Sequence, residues 1–171
     1  MIHLYYGKGK GKTTAAMGLA LRAAGRGWHV VVAQFLKGSD TGERLALRKL
    51  HNVQVLDVPA RMKFTWEMDE GERAAEGERC RTLLREAETL AAWSSPALLV
   101  LDECTTAVDE GLLDVEAVER LLDRRGQECE VVLTGRAAPP TLKARAHYVT
   151  EMFCRRHPYD VGIGGREGVE W

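Results

Sequence analysis

The sequence lacks an excess of either charge and any long apolar run. Its 24 Lys and Arg residues are offset by 25 Asp and Glu residues, so the chain does not offer the broad cationic surface that a nucleic acid backbone requires. No apolar run approaches the roughly 20 residues of a membrane-spanning helix, and no signal-peptide pattern stands at the start. We therefore expect a cytoplasmic protein that binds neither nucleic acid nor membrane.

Cysteine is also scarce, and its spacing excludes two kinds of site. No CxxC pair is present, so the sequence suggests neither a structural zinc site nor a disulfide framework. We expect reduced, mostly buried thiols at Cys80, Cys104, Cys129 and Cys154. Repeats and linkers are missing as well. The length of 171 residues and the apolar content of 45% predict one domain that spans residues 1–171.

Short β-rich segments alternate with helical segments along the chain. Strands are predicted at residues 2–6, 30–35, 53–58, 97–102, 130–133 and 147–150. Helices are predicted at residues 13–25, 43–50, 70–93 and 115–124. The alternation predicts an α/β fold with a mostly parallel sheet flanked by helices.

A basic, glycine-rich segment follows the first predicted strand and leads into a helix of small residues. Glycines permit backbone angles that turn N–H groups toward phosphate oxygens, and the helix N-terminus adds partial positive charge. Lys12 would supply a point charge and Thr13 a Mg²⁺ ligand. The segment predicts an ATP site and a P-loop NTPase-like (RecA-like) fold. Its residues are Gly7, Lys8, Gly9, Lys10, Gly11, Lys12, Thr13 and Thr14.

The spacing of this loop departs from the standard GxxxxGK[ST] pattern. Tyr6 stands where that pattern needs glycine, and the first glycine is Gly7. The alternative interpretation is a basic surface turn, but a strand before the loop and a helix after it favour phosphate binding. Lys8 and Lys10 either line the triphosphate or are solvated.

An acidic pair, Asp102 and Glu103, ends the apolar strand at residues 97–102. Because the carboxyl ends of parallel strands meet at one edge of a sheet, these carboxylates should lie beside the phosphate loop. Hard oxygen ligands suit Mg²⁺, so Thr13, Asp102 and Glu103 are candidate metal ligands; the alternative is a surface acidic pair. Lys12, Thr13 and Glu103 are the candidate catalytic residues.

A phosphate loop and an acidic strand end indicate a nucleotide and a metal, but they do not define the reaction. Further segments, read together with the short-spaced loop, resemble those of the ATP:corrinoid adenosyltransferases of the cobinamide and cob(I)yrinic acid a,c-diamide type. The resemblance covers almost the whole chain. It rests on residues 32–38, 64–67, 132–136, 149–152, 156–158 and 168–171.

The resemblance implies a reaction in which Co(I) of a corrinoid attacks the ribose 5′ carbon of ATP and expels triphosphate. It also implies that ATP lies reversed in the loop relative to ordinary P-loop hydrolases, and that Mg²⁺ assists. An external reductant of the flavoprotein type would make Co(I), and the protein would be a homodimer. A phosphotransferase or nucleotide kinase is the first alternative. A non-catalytic nucleotide-binding module is the second.

Residues at two further strand ends complete the candidate ATP site. Gln34 lies at the end of the second strand and Lys37 just past it, near the expected nucleotide, although Lys37 is equally well explained as a solvated charge. Arg136 follows the strand at residues 130–133. It would pair with a phosphate or a corrinoid carboxylate, and a structural salt bridge is the alternative.

Two aromatic residues, Phe64 and Trp66, stand in a polar segment after the third strand. Corrin is a flat, largely apolar macrocycle, and aromatic rings can cover its face and exclude water from cobalt. The resemblance implies that the two rings bind the corrinoid and favour its form without a lower axial ligand. The alternative is that both rings pin the loop to the core.

Overall fold

In a computed structural model, which describes residues 1–38, 41–94 and 96–169, six strands form one sheet. The strand order is β3-β2-β4-β5-β1-β6, and every neighbouring pair is parallel. This arrangement confirms the predicted α/β fold of the P-loop NTPase-like class. The strands are β1 Ile2–Tyr6, β2 Val30–Gln34, β3 Val53–Val55, β4 Leu98–Asp102, β5 Glu130–Gly135 and β6 Tyr148–Glu151.

The described part of the chain also contains six α-helices and two short 3₁₀ helices, one after β3 and the other after β6. The 3₁₀ helices are Thr65–Glu67 and Pro158–Val161. Helices α4 and α6, of six residues each, are absent from the sequence-based expectation. The α-helices are α1 Lys12–Gly25, α2 Gly42–Leu47, α3 Glu70–Trp93, α4 Cys104–Asp109, α5 Val115–Arg124 and α6 Pro140–Arg145.

Alternate residues of the central strands face two different helical layers, because successive side chains of a strand point to opposite faces. In β4, Leu98 and Val100 pack with the small residues of α1, such as Ala16. Leu99 and Leu101 belong to the opposite cluster, which includes buried residues of α3, α4 and α5. The apolar strand runs are thus covered on both faces, in agreement with the predicted sheet flanked by helices.

The longest helix, α3, covers the sheet through one apolar face. A capping box starts it, in which Glu72 N donates to Asp69 Oδ1 at 2.8 Å and Asp69 N donates to Glu72 Oε2 at 3.2 Å. Its buried apolar residues include Cys80, Leu83 and Leu84. No helix in the described part of the chain combines the length and the apolarity needed to cross a membrane.

The cysteines are free, as expected, and three of them are buried. Burial raises the pKa of Cys80 to about 12 and that of Cys129 to about 11. Cys154 is exposed. The buried thiols therefore stay protonated and belong to the core.

Candidate active site

The phosphate loop connects β1 to α1 and rests on the segment that leaves β6. Gly7 and Gly11 have φ values of +114° and +113°, which glycine adopts without strain. A Cβ atom on Gly7 would lie 2.5 Å from the Met152 carbonyl oxygen. Gly9 N donates to the same oxygen at 2.7 Å. Tyr6 remains in β1, so the first residue that must be glycine is Gly7, which accounts for the shortened motif.

Lys12 is the first residue of α1, and its side chain is enclosed within the loop. The residue is 9% exposed, and its Nζ donates to the Gly9 carbonyl oxygen at 2.8 Å. Burial lowers the pKa of Lys12; the carboxylate of Glu103 opposes this effect, and the charge of Arg136 adds to it. The loop therefore holds a desolvated cation among its backbone groups.

Asp102, the last residue of β4, is fully buried and surrounded by donors. The Thr13 hydroxyl lies 3.0 Å from Oδ1 and 3.2 Å from Oδ2. The Thr134 hydroxyl donates to Oδ1 at 2.7 Å, and Gln34 Nε2 donates to Oδ2 at 3.1 Å. Asp102 thus fixes Thr13 against β4 and β5.

Glu103 differs from its neighbour in both conformation and direction. Its backbone is left-handed, with φ 56° and ψ 18°, a conformation that is costly for a non-glycine residue and often marks a functional site. Its N–H donates to the Thr134 hydroxyl at 2.8 Å, and the Thr106 hydroxyl donates to its carboxylate. Glu103 lines the cavity, whereas Asp102 lies behind it.

A cavity of about 1010 Å³ lies over the loop, large enough for a nucleotide. One end is formed by the phosphate loop, Glu103 and Arg136. The other end is an apolar wall on α1 and α2 and the residues just after α2. Gly168 and Val169, at the end of the described residues, also line the cavity. Lys10 Nζ donates to the Val169 carbonyl oxygen at 3.1 Å. The apolar wall consists of Met17, Leu21, Ala46, Leu47 and Leu50.

Lys37 and Glu43 form a charged pair in the lining of this cavity. Lys37 Nζ lies 3.2 Å from Glu43 Oε1 and 3.5 Å from Asp102 Oδ2. Burial alone would lower the pKa of Lys37, but the charges of Asp102 and Glu43 outweigh it, and the pKa is raised. Burial likewise acts to raise the pKa of Glu43, but the charge of Lys37 prevails and the pKa is lowered. Both groups are therefore charged at neutral pH.

Most of the residues predicted to bind ATP meet at this one cavity. Lys8 through Thr14 and Arg136 all line it, as does Glu103, the predicted metal ligand. Gly7 is not part of the lining, and its N–H donates to the Arg136 carbonyl oxygen at 3.2 Å. Gln34 does not: it is fully buried, with its amide turned toward Asp102, Glu43 and Arg44. Sequence reasoning did not single out Glu43 as a site residue and assigned His157 no role, although both line the cavity. The sequence offers a single signal for Glu43, its position in the first turn of α2.

The aromatic pair lies outside the lining of this cavity. The rings of Phe64 and Trp66 stack with their centroids 4.5 Å apart and an interplanar angle of 7°. Phe64 is 62% exposed and Trp66 is 67% exposed, so the rings do not pin their loop to the core. Of the C-terminal motif, Glu170 and Trp171 lie outside the described residues.

The parallel sheet, the glycine loop after β1 and the acidic end of β4 define a P-loop nucleotide-binding protein of the α/β class. A family model described as ATP:corrinoid adenosyltransferase BtuR/CobO/CobP matches residues 1–171. The chain therefore belongs to the ATP:corrinoid adenosyltransferase family.

Curated relatives agree with this assignment over their length. The corrinoid adenosyltransferase of Escherichia coli (strain K12) is 35% identical over 172 residues, which covers 100% of this chain and 85% of that protein. The corrinoid adenosyltransferase of Pseudomonas aeruginosa is 34% identical, covering 98% of this chain and 82% of that protein. The corrinoid adenosyltransferase CobA of Salmonella typhimurium is 34% identical, covering 100% and 85%. These matches confirm the predicted family and activity class, and they do not favour a kinase or a non-catalytic module.

Proposed function

We propose that this protein holds ATP with its triphosphate on the phosphate loop, so that Co(I) of a corrinoid can take the 5′-deoxyadenosyl group. The observation that carries the proposal is the cavity in which a buried lysine, a glycine loop and Glu103 converge. Such an arrangement stabilises charge on a leaving polyphosphate.

The chain's own residues would divide the work on the triphosphate. The N–H groups of Gly7 and Gly9 donate to the carbonyl oxygens of Arg136 and Met152. The other backbone N–H groups of the loop and the α1 N-terminus would face the anion. Lys12 would place its ammonium on the phosphates, and Arg136 would approach from the end of β5. Lys8 and Lys10 are exposed and would add charge at the mouth of the cavity. Gln34 is not among the groups proposed to contact the phosphates, because it lies outside the cavity lining and its amide faces Asp102, Glu43 and Arg44.

Mg²⁺ fits the donor set at the carboxyl edge of the sheet. Thr13 presents a hydroxyl oxygen whose proton is directed to Asp102, and Glu103 presents a carboxylate to the cavity. Both are hard oxygen ligands. Thr13 and Glu103 would hold the ion, with Asp102 behind them. When bound, Mg²⁺ neutralises charge on the triphosphate.

The transfer needs no nucleophile from the protein. The electron pair of Co(I) forms the bond to the ribose 5′ carbon, and the bond between that carbon and the triphosphate oxygen breaks. Cobalt becomes Co(III), and triphosphate leaves with the bonding electrons. The protein aligns the two reacting atoms, excludes water and stabilises the leaving group through Lys12 and the loop amides.

Phe64 and Trp66 are proposed to receive the corrinoid. Their stacked rings are exposed on the segment between β3 and α3, and they present apolar surface that a corrin face would cover. We propose further that the protein is a cytoplasmic homodimer built from a single domain of residues 1–171. An external reductant of the flavoprotein type would supply Co(I).

The direct test is an anaerobic reaction of the protein with ATP, Mg²⁺ and a chemically reduced corrinoid. We expect a light-sensitive organocobalt product and one equivalent of triphosphate for each corrinoid converted. Formation of ADP and a phosphorylated acceptor would instead establish a phosphotransferase. Binding of ATP without any transfer would contradict both enzymatic functions.

A further inference from the structure

A fully buried arginine stands behind the metal end of the site. Arg44, in α2, is 1% exposed. Its NH1 donates to Gln34 Oε1 at 3.1 Å, and its NH2 donates to the Leu56 carbonyl oxygen at 2.7 Å. In the described part of the chain it forms no ion pair, and its Nε has no hydrogen-bond partner. Burial lowers the pKa of Arg44; the charge of Arg48 adds to this effect, and the charges of Asp57 and Glu43 oppose it. Enclosing a cation in this way is costly, so a compensating role is expected.

The contacts of Arg44 specify both ends of the Gln34 amide. Arginine has only donors, so the amide oxygen of Gln34 must face Arg44. The amide nitrogen then faces two carboxylates, and it donates to Asp102 Oδ2 at 3.1 Å and to Glu43 Oε1 at 3.1 Å. Loss of Arg44 would leave a buried amide oxygen without a donor, which favours rearrangement of the whole group.

The same series of contacts ends at Thr13. A hydroxyl has one proton and two acceptor lone pairs. Asp102 accepts the Thr13 proton, and the lone pairs of that oxygen remain available to a cation. The direction of the hydroxyl depends on where Asp102 is held, and Gln34 is one of the groups that hold it.

We propose that Arg44 and Gln34 are positioning residues for the metal end of the ATP site. Arg44 orients the Gln34 amide, Gln34 holds Asp102, and Asp102 orients the Thr13 hydroxyl toward the cation. This inference rests on the proposed role of Thr13 as a Mg²⁺ ligand. It assigns Gln34 to the support of the metal site and not to contact with the nucleotide.

The alternative is that Arg44 only ties α2 to the chain after β3, through Leu56. The two roles predict different measurements. A structural tie affects the free energy of unfolding alone, whereas a positioning role changes the gain in ATP affinity that Mg²⁺ provides. That gain is the ratio of the dissociation constant of ATP with EDTA to that of ATP with Mg²⁺. Both constants can be measured by isothermal titration calorimetry without corrinoid, when no transfer occurs.

We expect Arg44→Met to reduce this ratio by about 10-fold, the usual effect of removing a group that supports a metal ligand. The affinity for ATP in EDTA should change less than about 2-fold. Arg44→Lys, which keeps one charged donor, should recover part of the ratio. Gln34→Met should match Arg44→Met, and the double variant should add little, because both substitutions break one series of contacts.

Arg79→Met is a matched control for loss of a partly buried arginine. Arg79 lies on α3 and pairs with the buried Glu76, away from the lining of the cavity. We expect a lower melting temperature and an unchanged ratio. If Arg44→Met is too unstable to assay, Gln34→Met alone decides the question.

An unchanged ratio in folded Arg44→Met or Gln34→Met would overturn the inference while leaving the proposed function intact. If wild-type protein binds ATP equally well with Mg²⁺ and with EDTA, the proposed metal role is wrong, and the inference fails with it. The two failures are therefore distinguishable in one set of titrations.

Discussion

Lys12 is a buried cation in a loop whose other lysines, Lys8 and Lys10, are exposed. Burial lowers its pKa, and a bound triphosphate would raise that pKa again, because a nearby anion favours the charged form. Between the two pKa values, the free protein has lost the proton that the complex holds. We therefore expect ATP binding to take up a proton at alkaline pH and to weaken as the pH rises through this window.

Calorimetry in two buffers of different ionisation enthalpy measures this uptake. The control is Lys12→Arg, which keeps its charge throughout the accessible pH range and should bind ATP without taking up a proton. Uptake that persists in Lys12→Arg would assign the proton to another group.

The acidic pair offers a second prediction at the scale of single residues. Glu103 faces the cavity and Asp102 is enclosed by donors. Substitution of Glu103 should therefore affect activity alone, whereas substitution of Asp102 should affect both activity and stability. Glu103→Gln should reduce kcat by about 100-fold or more and leave the melting temperature nearly unchanged. Asp102→Asn should also lower the free energy of unfolding by about 1–3 kcal/mol, because an amide N–H₂ would face other donors. Anaerobic kinetics and thermal denaturation measure both effects, and near-normal activity in Glu103→Gln would contradict the assigned role.

Strand β5 ends where the first turn of α4 comes closest to the sheet. A Cβ atom on Gly135 would lie 2.1 Å from Thr105 Oγ1 and 2.5 Å from Thr106 N. The contact is further fixed by Arg136 N, which donates to Thr106 Oγ1 at 2.9 Å. The glycine before Arg136 therefore allows α4 to approach, and α4 carries the threonine that bonds Glu103.

We expect Gly135→Ala to reduce the free energy of unfolding by about 1–3 kcal/mol, because the added methyl group forces β5 and α4 apart. Denaturant titration measures the loss. Gly18→Ala is the matched control: apart from the backbone of its own helix and its chain neighbours, no atom lies within 4 Å of its added Cβ, and in a helix interior the change should stabilise by about 1 kcal/mol. Equal effects of the two substitutions would show that packing at β5 is not the cause.

Sequence reasoning finds the 24-residue helix α3 from its helical period and the strand β4 from its uninterrupted apolar run. Helices α4 and α6 have six residues each, too few to show a helical period. Helix α2 is equally short, and its predicted span of residues 43–50 differs from the observed Gly42–Leu47. The phosphate loop and acidic pair could be placed together because parallel strands end at one edge. The direction in which the Gln34 side chain points could not be predicted, because it depends on the register of β2 against β4, which sets Gln34 beside Asp102.

At the scale of the whole molecule, the two proposed substrate regions are separate. The ATP cavity lies over α1 and α2, and the stacked rings of Phe64 and Trp66 lie outside its lining. Because the rings do not line the ATP cavity, Trp66→Ala should raise the KM for corrinoid by about 10-fold, equivalent to about 1.4 kcal/mol. The KM for ATP should stay within about 2-fold. Steady-state kinetics with each substrate varied in turn gives both constants, and equal increases in the two would count against a corrinoid site at Trp66.

The order of the sheet also determines when during synthesis the phosphate loop can form. Strand β1 lies between β5 and β6, so the strand before the loop pairs with two strands that are translated much later. The loop after β1 is shaped by the Met152 backbone, which follows β6. A nascent chain thus carries every residue of its phosphate loop long before the loop can close, and it cannot hold a triphosphate there until β5, β6 and Met152 have been synthesised.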